Sequence, residues 1–228
     1  MKTFKIHRRR FLVGFGLLAS GAAQAQQALY PLRSDAGQLL QNGKVPSDLD
    51  PAGLPGVVWV GAAATEIILA EYFDYNCPIC RGAVHDVDAL LARNKDLKLG
   101  LVNNPILSPA SIEAAKVQQS VLRSNGPKAA YAFHKRLLSV HGLADGSRAM
   151  EVASELGLDM GSIATGAKLE WVASVVKSQA ENAASLGFSV TPSFVLHGTA
   201  VVGWPGPKST ERMILSVRAC DKPACSPG

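Results

Sequence analysis

The chain encodes an α/β protein in which a sheet domain is interrupted by an all-helical block, and three observations lead there. Strand patterns flank one helix within residues 57–103 and return at residues 188–220. The tract between them, 104–187, reads as helix throughout. Hydrophobic residues are 47% of the 228 and charged residues 18%, enough apolar material for a real core, which excludes a disordered chain.

Residues 1–25 read as an export signal. A cationic start runs to Arg10, an apolar stretch follows to about Ala23, and Ala23-Gln24-Ala25 supplies the small-x-small pattern for cleavage after Ala25. The apolar stretch is about 13 residues, short of the about 20 that a bilayer requires. Arg8-Arg9-Arg10-Phe11-Leu12 also resembles a twin-arginine signal, with His7 where that pattern prefers Ser or Thr and Val13 where it often has Lys. Either export route leads to an oxidising space. The formal charge of +5 comes from this leader: without Lys2, Lys5, Arg8, Arg9 and Arg10, 18 basic groups face 18 acidic ones. A neutral mature chain gives no electrostatic reason to bind nucleic acid or an anionic membrane surface.

Residues 26–56, rich in Gln, Gly, Pro and Asp, form an N-terminal arm without a heptad pattern. Strands are expected at 57–60 and 66–73. In the second, Ile67, Leu69, Glu71 and Phe73 share one face while Ile68, Ala70 and Tyr72 share the other. Both faces are largely apolar, as in a central strand covered on each side, and Glu71 is the exception. A helix from Cys77 to about Arg93 carries Val84, Val87, Leu90 and Leu91, and a strand at 97–102 completes a parallel crossover. The helical block has breaks at Gly126-Pro127, Gly142 and Gly157 or Gly161. Strands at 193–196 and 200–202, a last helix from about Ser209 to Ala219 and a tail at 221–228 finish the chain.

All four cysteines lie in two local pairs, Cys77/Cys80 and Cys220/Cys225, and an even count in an exported chain favours disulfides. The pairs are about 140 residues apart, which disfavours a shared four-thiolate zinc site. Cys220 and Cys225 close a six-residue loop and are assigned a structural disulfide that pins the tail. Cys77 follows directly on the central strand at the N-cap of a helix, and Pro78 takes the first helical position, where its missing N–H removes nothing. Positions i and i+3 of a helix are neighbours, so Cys77 and Cys80 can bond across Pro78-Ile79.

Only a thiolate attacks a disulfide, and a thiol of pKa about 8.5 is about 3% ionised at pH 7. Free N–H groups and the dipole at a helix start favour an anion on Cys77, contributing about 1 kcal/mol. A pKa of about 5 needs roughly 5 kcal/mol, so hydrogen bonds within the turn must supply the rest. Cys80, one turn in and less exposed, is the resolving thiol.

The run Glu71-Tyr72-Phe73-Asp74-Tyr75-Asn76-Cys77-Pro78-Ile79-Cys80-Arg81, with Val190-Thr191-Pro192-Ser193-Phe194 downstream, resembles the DsbA family of thiol:disulfide interchange proteins over roughly residues 57–220. The resemblance implies a thioredoxin-like fold with the helical insertion that those proteins carry. It also implies a periplasmic oxidase that passes its disulfide to reduced, newly exported chains and is reoxidised by a membrane partner. Cys77 and Cys80 match the nucleophilic and resolving cysteines. Thr191-Pro192 matches a loop whose peptide bond is cis in the family and whose backbone pairs with substrate as an added strand. Glu71 matches a buried acid that exchanges protons with Cys80. Pro78-Ile79 lacks the histidine of the best-known members, removing one cationic stabiliser of the thiolate and moving the pair toward reductant.

His85 is expected on a solvated helix face, and His134, His141 and His197 are scattered without ligand spacing, so no metal site is assigned. Trp204-Pro205 reads as a turn and core anchor. The expected activity is thus a monomeric dithiol oxidase that needs no cofactor and acts on reduced or unfolded exported polypeptides. An isomerase or reductase on the same fold is the nearest rival. A non-catalytic chaperone-like or metal-carrying module is the more distant one.

Overall fold

A computed structural model describes residues 28–225, so the export signal expected at residues 1–25 and its cleavage site lie outside the described residues. Six strands form one mixed sheet: β1 (Asn42–Lys44), β2 (Val58–Gly61), β3 (Ile68–Phe73), β4 (Lys98–Asn103), β5 (Ser193–Leu196) and β6 (Thr199–Val201). Their order across the sheet is β1-β6-β5-β3-β4-β2, with β3 and β4 parallel and every other pairing antiparallel. The helices are α1 (Pro78–Arg93), α2 (Pro109–Leu138), α3 (Gly146–Glu155), α4 (Met160–Gly166), α5 (Glu170–Ser185) and α6 (Pro207–Cys220). This is the arrangement that the resemblance implies, with α2 to α5 inserted between β4 and β5.

β3 lies at the centre, and its two faces divide the core as its alternation requires. Leu69 and Phe73 join Val84, Val87 and Leu90 of α1, Met213, Ile214 and Val217 of α6, and Val117 and Phe133 of α2. Ala70 and Tyr72 face the other way, onto Val102, Val195, Ala183 of α5 and Phe188. Both strand neighbours of Glu71 are apolar, Leu101 on β4 and Phe194 on β5.

The insertion breaks close to the expected points. Gly126 stands at φ 79° inside α2, so the helix changes course before Pro127, and Gly142 and Gly157, at φ 82° and 68°, sit in the connections flanking α3. Gly161 instead falls inside α4, and the turn between α4 and α5 at residues 167–169 contains no glycine or proline to announce it. β1 is likewise silent in the sequence, because Asn-Gly-Lys has neither alternation nor branched residues. It pairs with β6 and is fastened by Asn42, whose amide donates to the carbonyls of Tyr30 and Leu40. The same segment supplies the cap that α6 lacks. Gly206 offers no side chain at that N-terminus, and the Asp35 carboxylate accepts the Lys208 and Ser209 amides at 3.0 and 2.6 Å.

Candidate active site

The strand–turn–helix junction places Cys77 at the N-cap of α1, with extended backbone (φ −79°, ψ 118°), Pro78 at the first helical position and the Cys80 N–H donating to Cys77 Sγ at 3.4 Å. Asp74 makes the turn. It is buried, and its carboxylate accepts the Asn76 N–H and the Ser111 hydroxyl at 2.7 Å and the Leu107 N–H at 2.9 Å. Asn76 reaches into the insertion, donating to the Ala144 carbonyl and accepting the Ala144 N–H, at 2.9 and 2.8 Å. Arg81 closes the turn by donating to the Tyr75 carbonyl at 3.0 Å. The cysteine pair is therefore gripped by the sheet on one side and by α2 and the α2–α3 connection on the other.

Thr191-Pro192 enters from the far end of the chain, just before β5, with a cis peptide bond. The Thr191 carbonyl lies 3.1 Å from Cys77 Sγ and accepts from the thiol. Thus Cys77, Cys80, Pro78, Ile79, Thr191 and Pro192 meet at one place. Ile79 is 54% exposed and Val190 46%, while Cys77 shows only 4% of its surface and Cys80 none. Ile106, Leu107 and Ile112 are also exposed, on the segments that Asp74 and Ser111 tie to the turn.

Both cysteines are thiols, and their surroundings separate them. Hydrogen bonding from the Cys80 thiol, then from the Thr191 side chain and the Cys80 and Ile79 amides, outweighs burial and brings the Cys77 thiol down to about 6. Burial drives the Cys80 thiol far upward, reinforced by its donation to Cys77 and by the Glu71 charge. At neutral pH the pair carries one negative charge, on the outer sulfur.

Glu71 is wholly buried behind the pair. Neither carboxylate oxygen has a hydrogen-bond partner, and burial, with the Cys77 charge second, raises its pKa to about 8. It is therefore mostly neutral at pH 7 and within electrostatic reach of both sulfurs. Cys220 and Cys225 are joined by a disulfide at the end of α6, where Arg218 pairs with Asp96 just before β4. That is the opposite end of the sheet from Cys77, which follows the C-terminal end of the parallel β3.

Asp74, Asn76 and Ser111 escaped the sequence reading. The signal available was two polar residues between a buried strand and an N-cap cysteine. His134, read from the sequence only as lacking ligand spacing, lies four residues after Ala130 and three before Leu137, on the buried face of α2, and is fully enclosed. His85 is exposed on α1, and Trp204 packs on Phe194 with ring centroids 5.4 Å apart. Among the described residues no group of three or more His, Cys, Asp or Glu is placed to hold a metal ion.

A family model described as thioredoxin (Thioredoxin_4) matches residues 54–215. Among solved structures, a thioredoxin-like oxidoreductase from Silicibacter pomeroyi DSS-3 is 26% identical with a TM-score of 0.70, over 77% of this chain and 99% of that one. The thiol-disulfide exchange protein alpha-DsbA2 from Wolbachia pipientis is 20% identical, with a TM-score of 0.67 over 72% of this chain and 88% of its own. A periplasmic thioredoxin-like protein from Salmonella enterica serovar Typhimurium is 17% identical, with a TM-score of 0.64 over 78% and 99%. No curated protein matches the sequence. The match over most of the chain places it in the thioredoxin family, with the fold of the DsbA-type thiol–disulfide exchange proteins.

Proposed function

We propose that this protein is an exported dithiol oxidase that donates the Cys77–Cys80 disulfide to reduced, newly exported polypeptides. The observation that carries the proposal is the division of charge between the sulfurs, with Cys77 brought down to about 6 and Cys80 held protonated by burial. A stabilised thiolate exists only in the open pair, so it favours the reduced form and makes the disulfide a better oxidant.

A substrate thiolate attacks Cys77 Sγ, the more accessible sulfur, and the Cys77–Cys80 bond breaks. Cys80 departs as a thiolate and takes a proton from Glu71, whose neutral carboxyl stands in reserve behind it. A second substrate thiolate then attacks the substrate sulfur of the mixed disulfide, and Cys77 leaves as a stable thiolate. Two electrons pass from the substrate to the pair. In the reverse direction Cys80 returns its proton to Glu71 and attacks the mixed disulfide, which is the resolving role. The exposed Ile79, Val190, Ile106 and Leu107 give an unfolded chain an apolar footing beside Cys77, and the Thr191 backbone supports strand-like docking without reading sequence.

The expected leader at residues 1–25 and the periplasmic neighbour support a periplasmic setting, where a membrane partner would reoxidise the pair. Absence of a heptad pattern in residues 26–56 supports a monomer over an isomerase, which usually needs a dimerising or trimerising arm. Equilibration of the Cys77/Cys80 couple against glutathione buffers tests the direction of transfer. The expected potential lies above the about −270 mV of thioredoxin and below the about −120 mV of DsbA, because Cys77 ionises between the corresponding thiols of those two proteins. A value at or below thioredoxin's would make the protein a reductase or isomerase.

A further inference from the structure

Glu71 is cut off from solvent, yet its proposed role requires a proton to come and go. On the same side of β3 the Tyr75 hydroxyl and His134 Nδ1 also lack hydrogen-bond partners. Buried polar atoms are nearly always paired with protein or with ordered water, so orphans gathered on one face call for an explanation. Glu71 and Phe73 are successive residues of that face and Tyr75 follows them. The Phe73 ring meets Tyr75 edge-on at 5.0 Å and His134 at 4.4 Å, and Tyr75 and His134 are 5.8 Å apart. On its outer side His134 stacks with Tyr131, centroids 6.5 Å apart and planes within 12°. The Tyr131 hydroxyl donates to Asp88 Oδ1 at 2.8 Å, Lys135 Nζ donates to the same oxygen at 2.9 Å, and the Asp88 side chain is 40% exposed.

We propose that Tyr75 and His134, with water held among their orphaned polar atoms and Glu71, form the route by which Glu71 exchanges its proton with solvent at Tyr131 and Asp88. The inference rests on the proposed role of Glu71. When Cys80 leaves and takes the Glu71 proton, the carboxylate is refilled by one proton entering from solvent. Each group on the route accepts a proton on one side and releases one on the other, and no electrons move. Burial supports this by keeping His134 neutral at rest, its pKa lowered to about 3, and Tyr75 protonated, with the Glu71 charge adding to the effect on Tyr75. The charged or titratable groups around the route are Cys77, Cys80, Asp88 and, through Asp88, His85 on α1, and Tyr131 and Lys135 on α2. Tyr75 and His134 touch no substrate and act through Glu71.

The test is the rate at which dithiothreitol reduces the oxidised full chain, measured from about pH 5 to about pH 9 in light and heavy water and corrected for the reagent's thiolate fraction. In the unaltered protein the corrected rate falls as Glu71 loses its proton, which burial delays to well above the ordinary carboxyl range. Glu71→Gln should abolish that fall. Tyr75→Phe and His134→Phe keep ring packing and Glu71, yet after reduction they should slow about tenfold the recovery of the protonated Glu71 carboxyl band, followed by time-resolved infrared, and enlarge its solvent isotope effect. In a Glu71→Gln background the same two substitutions should change nothing further. If His134→Phe fails to fold, Tyr75→Phe decides alone, since it removes one unpaired hydroxyl. Carboxyl recovery rates and isotope effects that match the unaltered protein in both variants, with the Glu71→Gln change still present, would overturn the relay and leave Glu71 in its role. A Glu71→Gln profile identical to the unaltered one would overturn both.

Discussion

Cys77 keeps a sliver of exposed surface while Cys80 and Glu71 have none, and their ionisation follows from that burial and from the hydrogen bonds around Cys77. In the reduced protein the ultraviolet absorbance of the Cys77 thiolate should titrate near pH 6, well below a free cysteine. Cys80→Ala removes the first cause of that depression and should move the midpoint back toward the ordinary value. Reduced-state stability conferred by Cys77 is fully present above the unfolded thiol pKa and is lost as pH falls through about 6. At pH 7 it is on the order of 1 kcal/mol, or about 30 mV for a two-electron couple. Glu71 works in the opposite sense. Its pKa is raised from 4.5 to about 8, so folding loses stability as pH climbs through that window. Glu71→Leu should therefore gain on the unaltered protein by about 3 kcal/mol between pH 4 and pH 7 in urea unfolding. Equal separation of the two unfolding curves at both pH values would show that Glu71 is not held neutral.

The junction of β3 with α1 depends on side chains beyond the cysteines. Asp74 holds two backbone amides and the Ser111 hydroxyl. Asp74→Ala strands those donors and should cost about 2 to 4 kcal/mol in denaturant unfolding, with faster amide exchange at Asn76 and Leu107. The amphipathic pattern made α1, α6 and the central strand legible in the sequence, because a buried face repeats at the helix or strand period. β1 and the turn between α4 and α5 carry no such repeat. They exist because β6 offers an open edge to Asn42–Lys44 and because the packed insertion bends the chain at residues 167–169.

Across the molecule, the two cysteine pairs sit at opposite ends of the sheet and should behave independently. Cys220→Ser with Cys225→Ser opens a six-residue loop and should cost about 2 kcal/mol by loop entropy. The Cys77/Cys80 potential should stay unchanged; a shift comparable to the stability loss would mean that α6 couples the ends. Much of the site was legible from local chemistry: a cysteine at an N-cap, proline after it, and a second cysteine one turn on are decided within a few residues by helix geometry and backbone hydrogen bonding. Contacts between distant segments are not written locally. The meeting of Thr191 with Cys77, the anchoring of Asn76 to Ala144, the enclosure of His134 against Phe73 and the Asp35 cap on α6 join residues far apart in the chain. Such pairs are chosen by packing and by the need of every buried polar group for a partner, and both are settled when the whole core closes.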